Sequence, residues 1–219
     1  IMKIWQFHED SVLDVDFLIV DSLLSIPGMS QNELKVAESN GVYKLFKPDT
    51  RTKFAFEGIL SAYALNVLEQ VLIESGTDQY FIKIGNDFIV NGDFDDNFIT
   101  LTEQEIKGFC GNVDIRHPQL SEKHGISYSQ SIRKFLRKDG TTCSHTIDTQ
   151  WGFPLSHNLL TVTIYSSDPV LSDGLATAFM VMGLSDAVDF LEKNKDLNVK
   201  ASFIYQDESK GCVVKNIGF

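Results

Sequence analysis

Leu171-Ser172-Asp173-Gly174-Leu175-Ala176-Thr177-Ala178-Phe179-Met180-Val181-Met182, closing on Gly183, is the stretch from which this chain is best read. Only Ser172, Asp173 and Thr177 are polar among its twelve residues. At roughly 100° per residue, Leu171, Leu175, Ala178 and Met182 form one helical stripe, widened by Ala176, Phe179 and Val181. Asp168-Pro169 supplies an N-cap and a proline at the first helical position, which places Asp173 inside the helix. Asp173 and Thr177 then lie one turn apart on a shared face, away from the stripe. A carboxylate on a buried helix must be paired or hold a cation. One carboxylate and one hydroxyl suit a hard ion such as Mg²⁺. The competing reading is structural, a carboxylate favoured near the helix N-terminus by the macrodipole and unpaired N–H groups.

The flanking sequence alternates helix and strand signals. Upstream, Asp14–Ile26 carries a stripe of Phe17, Val20 and Leu24 that Pro27-Gly28 ends. Ser30 and Glu33 have capping-box spacing for a short helix Gln31–Glu38. Asn40-Gly41 marks a turn before a strand Val42–Phe46, and Lys53–Phe56 reads as another strand. A longer helix is predicted from Leu60, Tyr63, Ala64, Val67, Leu68, Val71 and Leu72, with Gly76 as its stop. Tyr80–Ile84 and Phe88–Val90 are expected strands hinged at Gly85-Asn86-Asp87. Asn91–Lys107 reads as an acidic surface excursion, Val113–Arg116 as a further strand, and Ser129–Leu136 fits either helix or strand. Downstream, Leu159–Tyr165 is an expected strand, Ser185–Lys193 a helix with Ala187, Val188 and Leu191 inward, and Val199–Tyr205 with Cys212–Ile217 a hairpin over Asp207–Gly211. This succession predicts an α+β fold with mixed or antiparallel sheets and packed helices.

Composition narrows the function. The chain has 219 residues, 43% of them hydrophobic, and a formal net charge of −11. That acidity argues against nucleic acid as a partner, because no basic stripe exists to neutralise phosphates. Lys134, Arg137 and Lys138 form the one local basic cluster, expected on a solvated helix face. No apolar run approaches the ~18 residues of a membrane span, and no export segment or lipidation cysteine is visible. Cys110, Cys143 and Cys212 have no CxxC spacing, which argues against a zinc site or a disulfide framework and leaves the compartment open. His8, His117, His124 and His157 fall in no pattern. His145 sits in Ser-His-Thr-Ile-Asp just ahead of Gly152 and Pro154, a strand-to-loop context suited to an acid or base near neutral pH.

Taken in order, these blocks resemble the FAD:protein FMN transferase, or ApbE, family. Ser144-His145-Thr146-Ile147-Asp148-Thr149-Gln150-Trp151-Gly152-Phe153-Pro154 is similar to the family pattern SHIIDPxTGxP. Leu160–Ile164 follows as its strand, and Ser172–Gly183 resembles ADALATALFVMG. Gly58–Asn66 resembles GGIAKGYAVD, and Ile84–Asp87 the GGD turn. The resemblance covers about Phe7 to the C-terminus. It implies one ApbE-like domain over residues 1–219 that lacks the N-terminal part of the family domain. It further implies an Mg²⁺-dependent transfer of FMN from FAD to a threonine of an acceptor protein. Asp173 and Thr177 match the Mg²⁺ ligands and His145 the residue that activates the acceptor. Gly58, Ser61, Gly85, Asp148 and Gly152 fall at flavin-side positions. Family members are commonly periplasmic and lipid-anchored. Departures are specific: Ser61 replaces the family's lysine, Ala55 an aspartate, Glu57 a glycine, Asn86 the second glycine of GGD, and Trp151 a threonine. Ser129-Gln130-Ser131-Ile132 stands at the SGDY block. Bulk at Glu57 and Trp151 is expected to crowd a flavin. The departures also suit an inactive family relative, and an Mg²⁺-dependent FAD pyrophosphatase would use the same residues.

Overall fold

The computed structural model describes residues 35–47, 56–92, 106–111, 113, 115, 123–131, 134–136, 142–144, 146–148 and 152–219. They fall into two compact units, residues 1–55 with 133–156 and residues 56–132 with 157–219.

In the first unit, β1 (Lys35–Ser39) and β2 (Val42–Phe46) form an antiparallel hairpin. Asn40 and Gly41 both take positive φ, 53° and 74°, the pattern of a type I′ turn. The helix expected over Gln31–Glu38 is therefore replaced at its C-terminal end by strand. The Asn-Gly turn and the β-branched and aromatic residues Val42, Tyr43 and Phe46 of β2 outweigh a capping-box spacing that carries no tertiary information. The expected helix Asp14–Ile26 lies outside the described residues, as do residues 53–55 of the expected strand at Lys53–Phe56.

The second unit is built on a six-stranded antiparallel sheet. α1 (Glu57–Glu74) leads into β3 (Tyr80–Ile84) and β4 (Asp87–Asn91), then β5 (His124–Gln130). After the short β6 (Lys134–Leu136) and β7 (Thr142–Ser144) of the first unit come β8 (Leu159–Ser166) and α2 (Pro169–Met182). α3 (Leu184–Lys193), β9 (Lys200–Asp207) and β10 (Gly211–Ile217) finish the chain. The sheet order is β10-β9-β8-β5-β4-β3. This is the predicted α+β architecture. Most strands fall where alternation put them, but β5 was not foreseen, and Val113 and Ile115 are not strand. Lys134 lies on a strand instead of a helix face.

Strand alternation divides the sheet residues between two faces. Phe88, Val90, Ile126, Tyr128 and Tyr165 cluster on one, and Ile89 joins Leu65 of α1 and Tyr80 on the other. Periodicity misplaced the buried face of α1 and caught that of α2 in part, at Leu175, Ala176 and Phe179. α1 turns Ala62, Leu65 and Glu69 inward and leaves Leu60, Tyr63, Val67, Leu68 and Val71 exposed. α2 buries Ser172, Asp173, Leu175, Ala176, Phe179 and Met180, while Met182 is exposed. Each helix is apolar on more than one side, so the stripe alone does not select the face. Small and hydrogen-bonding residues do, because they let helix and sheet backbones come close. Glu69 is buried because it accepts hydrogen bonds from Tyr80 Oη at 2.5 Å and Lys123 Nζ at 2.7 Å. Burial, then the Glu69 carboxylate, hold the Tyr80 hydroxyl well above its ordinary pKa.

Among the described glycines, Gly125 has the tightest surroundings. A Cβ there would stand 2.4 Å from Pro169 N and 2.5 Å from Pro169 Cα. Ser172 Oγ donates to Gly125 O at 2.7 Å, and Asp168 Oδ1 caps the helix by accepting from Val170 N at 2.9 Å. Cys110 and Cys212 form a disulfide, which corrects the expectation from spacing. The two lie 102 residues apart, so no local motif announces the pairing. The bond ties residues 106–110, a helical turn, to β10 beside Ile106, Leu160 and Ile204.

Gly125→Ala is expected to destabilise the fold by about 1–3 kcal/mol, since backbone instead of a flexible side chain must move. Gly174 sits inside α2 with nothing within 4 Å of an added Cβ, so Gly174→Ala is expected to stabilise by up to about 1 kcal/mol. Urea unfolding of the two variants checks both signs. Separately, breaking the disulfide as Cys110→Ser with Cys212→Ser is expected to remove about 2–4 kcal/mol, read as a lower Tm that matches the wild type in reductant.

Candidate metal centre at Asp173

Asp87 is the first residue of β4, placed there by a two-residue turn. Ile84 pairs with Asp87 across Gly85-Asn86, and Gly85 has φ +60°. Positive φ at the first turn position alone is the type II′ pattern, which glycine satisfies without strain. In the register of β4 with β5, Asp87 stands opposite Ser127. Ser127 Oγ donates to Asp87 Oδ1 at 2.5 Å, and Ser61 Oγ of α1 donates to Oδ2. Both oxygens of this buried carboxylate are thus held by hydroxyls.

Asp173 approaches the same cluster from α2. It is 8% exposed, and its Oδ2 has no hydrogen-bond partner. Burial first and the charge of Asp87 second raise its pKa from 3.8 to about 7, while the nearby Ser127 hydroxyl acts in the opposite direction. Among the described residues, no basic group contributes to that shift. A buried carboxylate oxygen without a donor is costly unless a proton or a cation completes it. The surrounding donors are hard oxygens, which fits Mg²⁺ and gives a soft metal nothing to prefer. Thr177 lies one turn further along α2 and is exposed, leaving its hydroxyl open to an arriving ligand.

The other expected site residues divide between the units. Gly58 lies exposed in the first turn of α1, one turn ahead of Ser61, and Gly85 in the turn before Asp87. Asp148 and Gly152 belong to the first unit. There Gly152 N donates to Asp148 O at 2.8 Å, and Asp148 N to Phe153 O at 2.8 Å. Gly152 has φ +73° in this tight turn, closed by a bridge between Ile147 and Pro154. His145, Ala55 and Trp151 lie outside the described residues. His157 is structural, with Nε2 2.7 Å from Met180 O near the end of α2.

Sequence reasoning missed two members of the cluster, Asp87 as a site residue and Ser127 altogether. The signal was present. Gly125, Ser127 and Ser129 alternate with Ile126 and Tyr128, a strand whose second face is small and polar. Asp87 was read as part of a hinge, whereas only Gly85 and Asn86 form the turn.

An antiparallel six-stranded sheet with helices packed on it, and two buried carboxylates where α2 meets that sheet, is the α+β architecture to be compared with known proteins. Residues 1–202 match the ApbE family, and the chain belongs to it. It is similar to the FAD:protein FMN transferase of Klebsiella pneumoniae (strain 342), 28% identical over 197 residues, covering 84% of this chain and 52% of the relative. The Salmonella typhimurium FAD:protein FMN transferase is 28% identical over 141 residues, covering 60% of this chain and 37% of the relative. The chain therefore spans about half or less of the length of these relatives. In fold it is similar to the apo flavinyl transferase ApbE of Pseudomonas stutzeri, with a TM-score of 0.67 at 23% identity over 93% of this chain and 59% of that one. Among the described residues, no helix is long and apolar enough to cross a membrane.

The raised pKa of Asp173 sets a pH dependence. Between the unfolded value of 3.8 and about 7, the folded state holds a proton that the unfolded state has released. Stability in EDTA is therefore expected to fall as pH rises through this window. Urea midpoints at pH 4.5, 6 and 7.5 check the slope, and Asp173→Asn should flatten it.

Proposed function

We propose that this chain is a flavin transferase that moves FMN from FAD to a hydroxyl of an acceptor protein with the help of Mg²⁺ at Asp173 and Thr177. The observation that carries the reading is the buried, unpartnered oxygen of Asp173 on a helix whose sequence follows the family's metal block. Names of relatives support the choice of FAD as substrate and of a protein as acceptor. Under this reading Asp173 and Thr177 hold the cation with oxygen ligands. A bound Mg²⁺ would draw charge from the pyrophosphate oxygens and ease departure of AMP. Gly58 and Gly85 give backbone without side-chain bulk near the flavin side, and Asp148, Gly152 and Ser61 complete that side.

His145 is the proposed general base. It removes the proton of the acceptor threonine hydroxyl as that oxygen bonds to the phosphorus of the FMN half. The bond from that phosphorus to the bridging oxygen breaks, and AMP leaves carrying the bridging oxygen. Water in place of the threonine would release FMN and AMP, so transfer and hydrolysis differ only in the acceptor.

FAD is expected to bind in calorimetric titration with Mg²⁺, and Asp173→Ala to lose the Mg²⁺-dependent part of that binding. Incubation with FAD and a peptide bearing the family's threonine motif should add the mass of FMN to the peptide. His145→Ala is expected to leave FAD bound while slowing transfer by about 100-fold or more. Absence of FAD binding with and without Mg²⁺ overturns the reading, and FMN release without peptide modification assigns hydrolysis instead.

A further inference from the structure

Among the described residues, the carboxylate pair lacks something that a buried pair of like charges normally has, a fixed positive partner. Asp87 is 4% exposed and Asp173 8%. Ser61 and Ser127 hydroxyls donate to Asp87, while Asp173 Oδ2 has no hydrogen-bond partner. Hydroxyls orient a carboxylate but do not cancel its charge. By contrast, the other buried carboxylate of this unit, Glu69, has a lysine at 2.7 Å. Ser61 is positioned on α1 to contact Asp87 directly and is half-buried. A longer basic side chain there would reach the same carboxylate.

We propose that Asp87 and Asp173 act as one doubly charged seat for a divalent cation, and that serine at position 61 leaves neutralisation of the pair to the bound ion. Asp173 supplies the open oxygen. Asp87, with both oxygens already accepting hydrogen bonds, is a positioning residue that acts through its charge and through its hold on Ser127. The cation is then a structural requirement of the second unit as well as an aid to chemistry. This rests on the reading of Asp173 as a cation ligand, but not on FAD or the acceptor.

The test uses Mn²⁺ alone as probe, followed by electron paramagnetic resonance of the free ion, with thermal unfolding in EDTA and in Mn²⁺. The wild-type chain is expected to bind one Mn²⁺ and to gain Tm on binding. Ser61→Lys should weaken Mn²⁺ at least about tenfold, because a fixed charge competes at short range, and should raise Tm in EDTA. Asp87→Asn, which keeps the shape, should weaken Mn²⁺ by a similar factor and carries the test if Ser61→Lys does not fold. Mn²⁺ binding that is lost in Asp173→Asn but unchanged in Asp87→Asn overturns the proposal and leaves the Asp173 ligand standing. No Mn²⁺ binding by the wild type overturns both. Failure of FAD to bind touches neither result.

Discussion

Two carboxylates, Asp87 and Asp173, buried where α2 meets an antiparallel sheet and sharing the Ser127 hydroxyl as neighbour, are the constraint around which the second unit is arranged. Ionised groups in such a place are not tolerated for stability's sake, since apolar residues of similar volume would pack at lower cost. Their presence therefore points to a ligand that gains from them. The scaffold meets the demand with rigid parts. Asp87 comes from β4, one strand in from the β3 edge, Ser61 and Asp173 from helices α1 and α2, and Ser127 from the adjoining strand β5. Sites on regular elements keep their geometry better than sites on loops.

Close approach of α2 to β5 makes the arrangement possible. Gly125 lets the first turn of the helix rest on the strand backbone, and Ser172 fixes it there through Gly125 O. Asn66, midway along α1, reaches the capping Asp168 at 3.3 Å and ties α1 to the N-terminal end of α2. Phe179 then anchors the far half of α2 against Phe190 and Phe203. The helix is thus held polar at one end and apolar at the other, and Asp173 sits at the polar end, where the cluster needs it.

Much of this was legible from residues alone. The extent of α2, its cap at Asp168-Pro169, the hairpin of β9 and β10 and the inward residues of α3 follow from local signals that tertiary contacts do not contradict. The inward face of α1 was not legible, and that of α2 only in part, at Leu175, Ala176 and Phe179. Both helices carry apolar residues on several sides, and burial was decided by Ala62, Ser172 and Asp173, which a hydrophobic stripe does not count. The disulfide was hidden by its 102-residue separation. Asp87 became visible as a site residue only with its strand register, because its neighbours in the cluster are 26 and 40 residues away in sequence. His145 and its block were recognisable by resemblance, and the chain's membership of the ApbE family bears out the resemblance.

The pairing of Asp87 with Ser127 has a consequence for how this chain can change over time. Side chains alternate between faces, so a slip of one residue between β4 and β5 would carry Asp87 to the side of Phe88 and Val90. The two-residue turn at Gly85-Asn86 sets the register of β4 against β3 and makes Asp87 the first residue of its strand. A single inserted codon in that turn would therefore threaten the cation seat without altering any of its residues. The turn at Asp207–Gly211 joins β9 and β10 at the opposite edge of the sheet and carries no such obligation. Length, more than composition, is what selection must guard between β3 and β4.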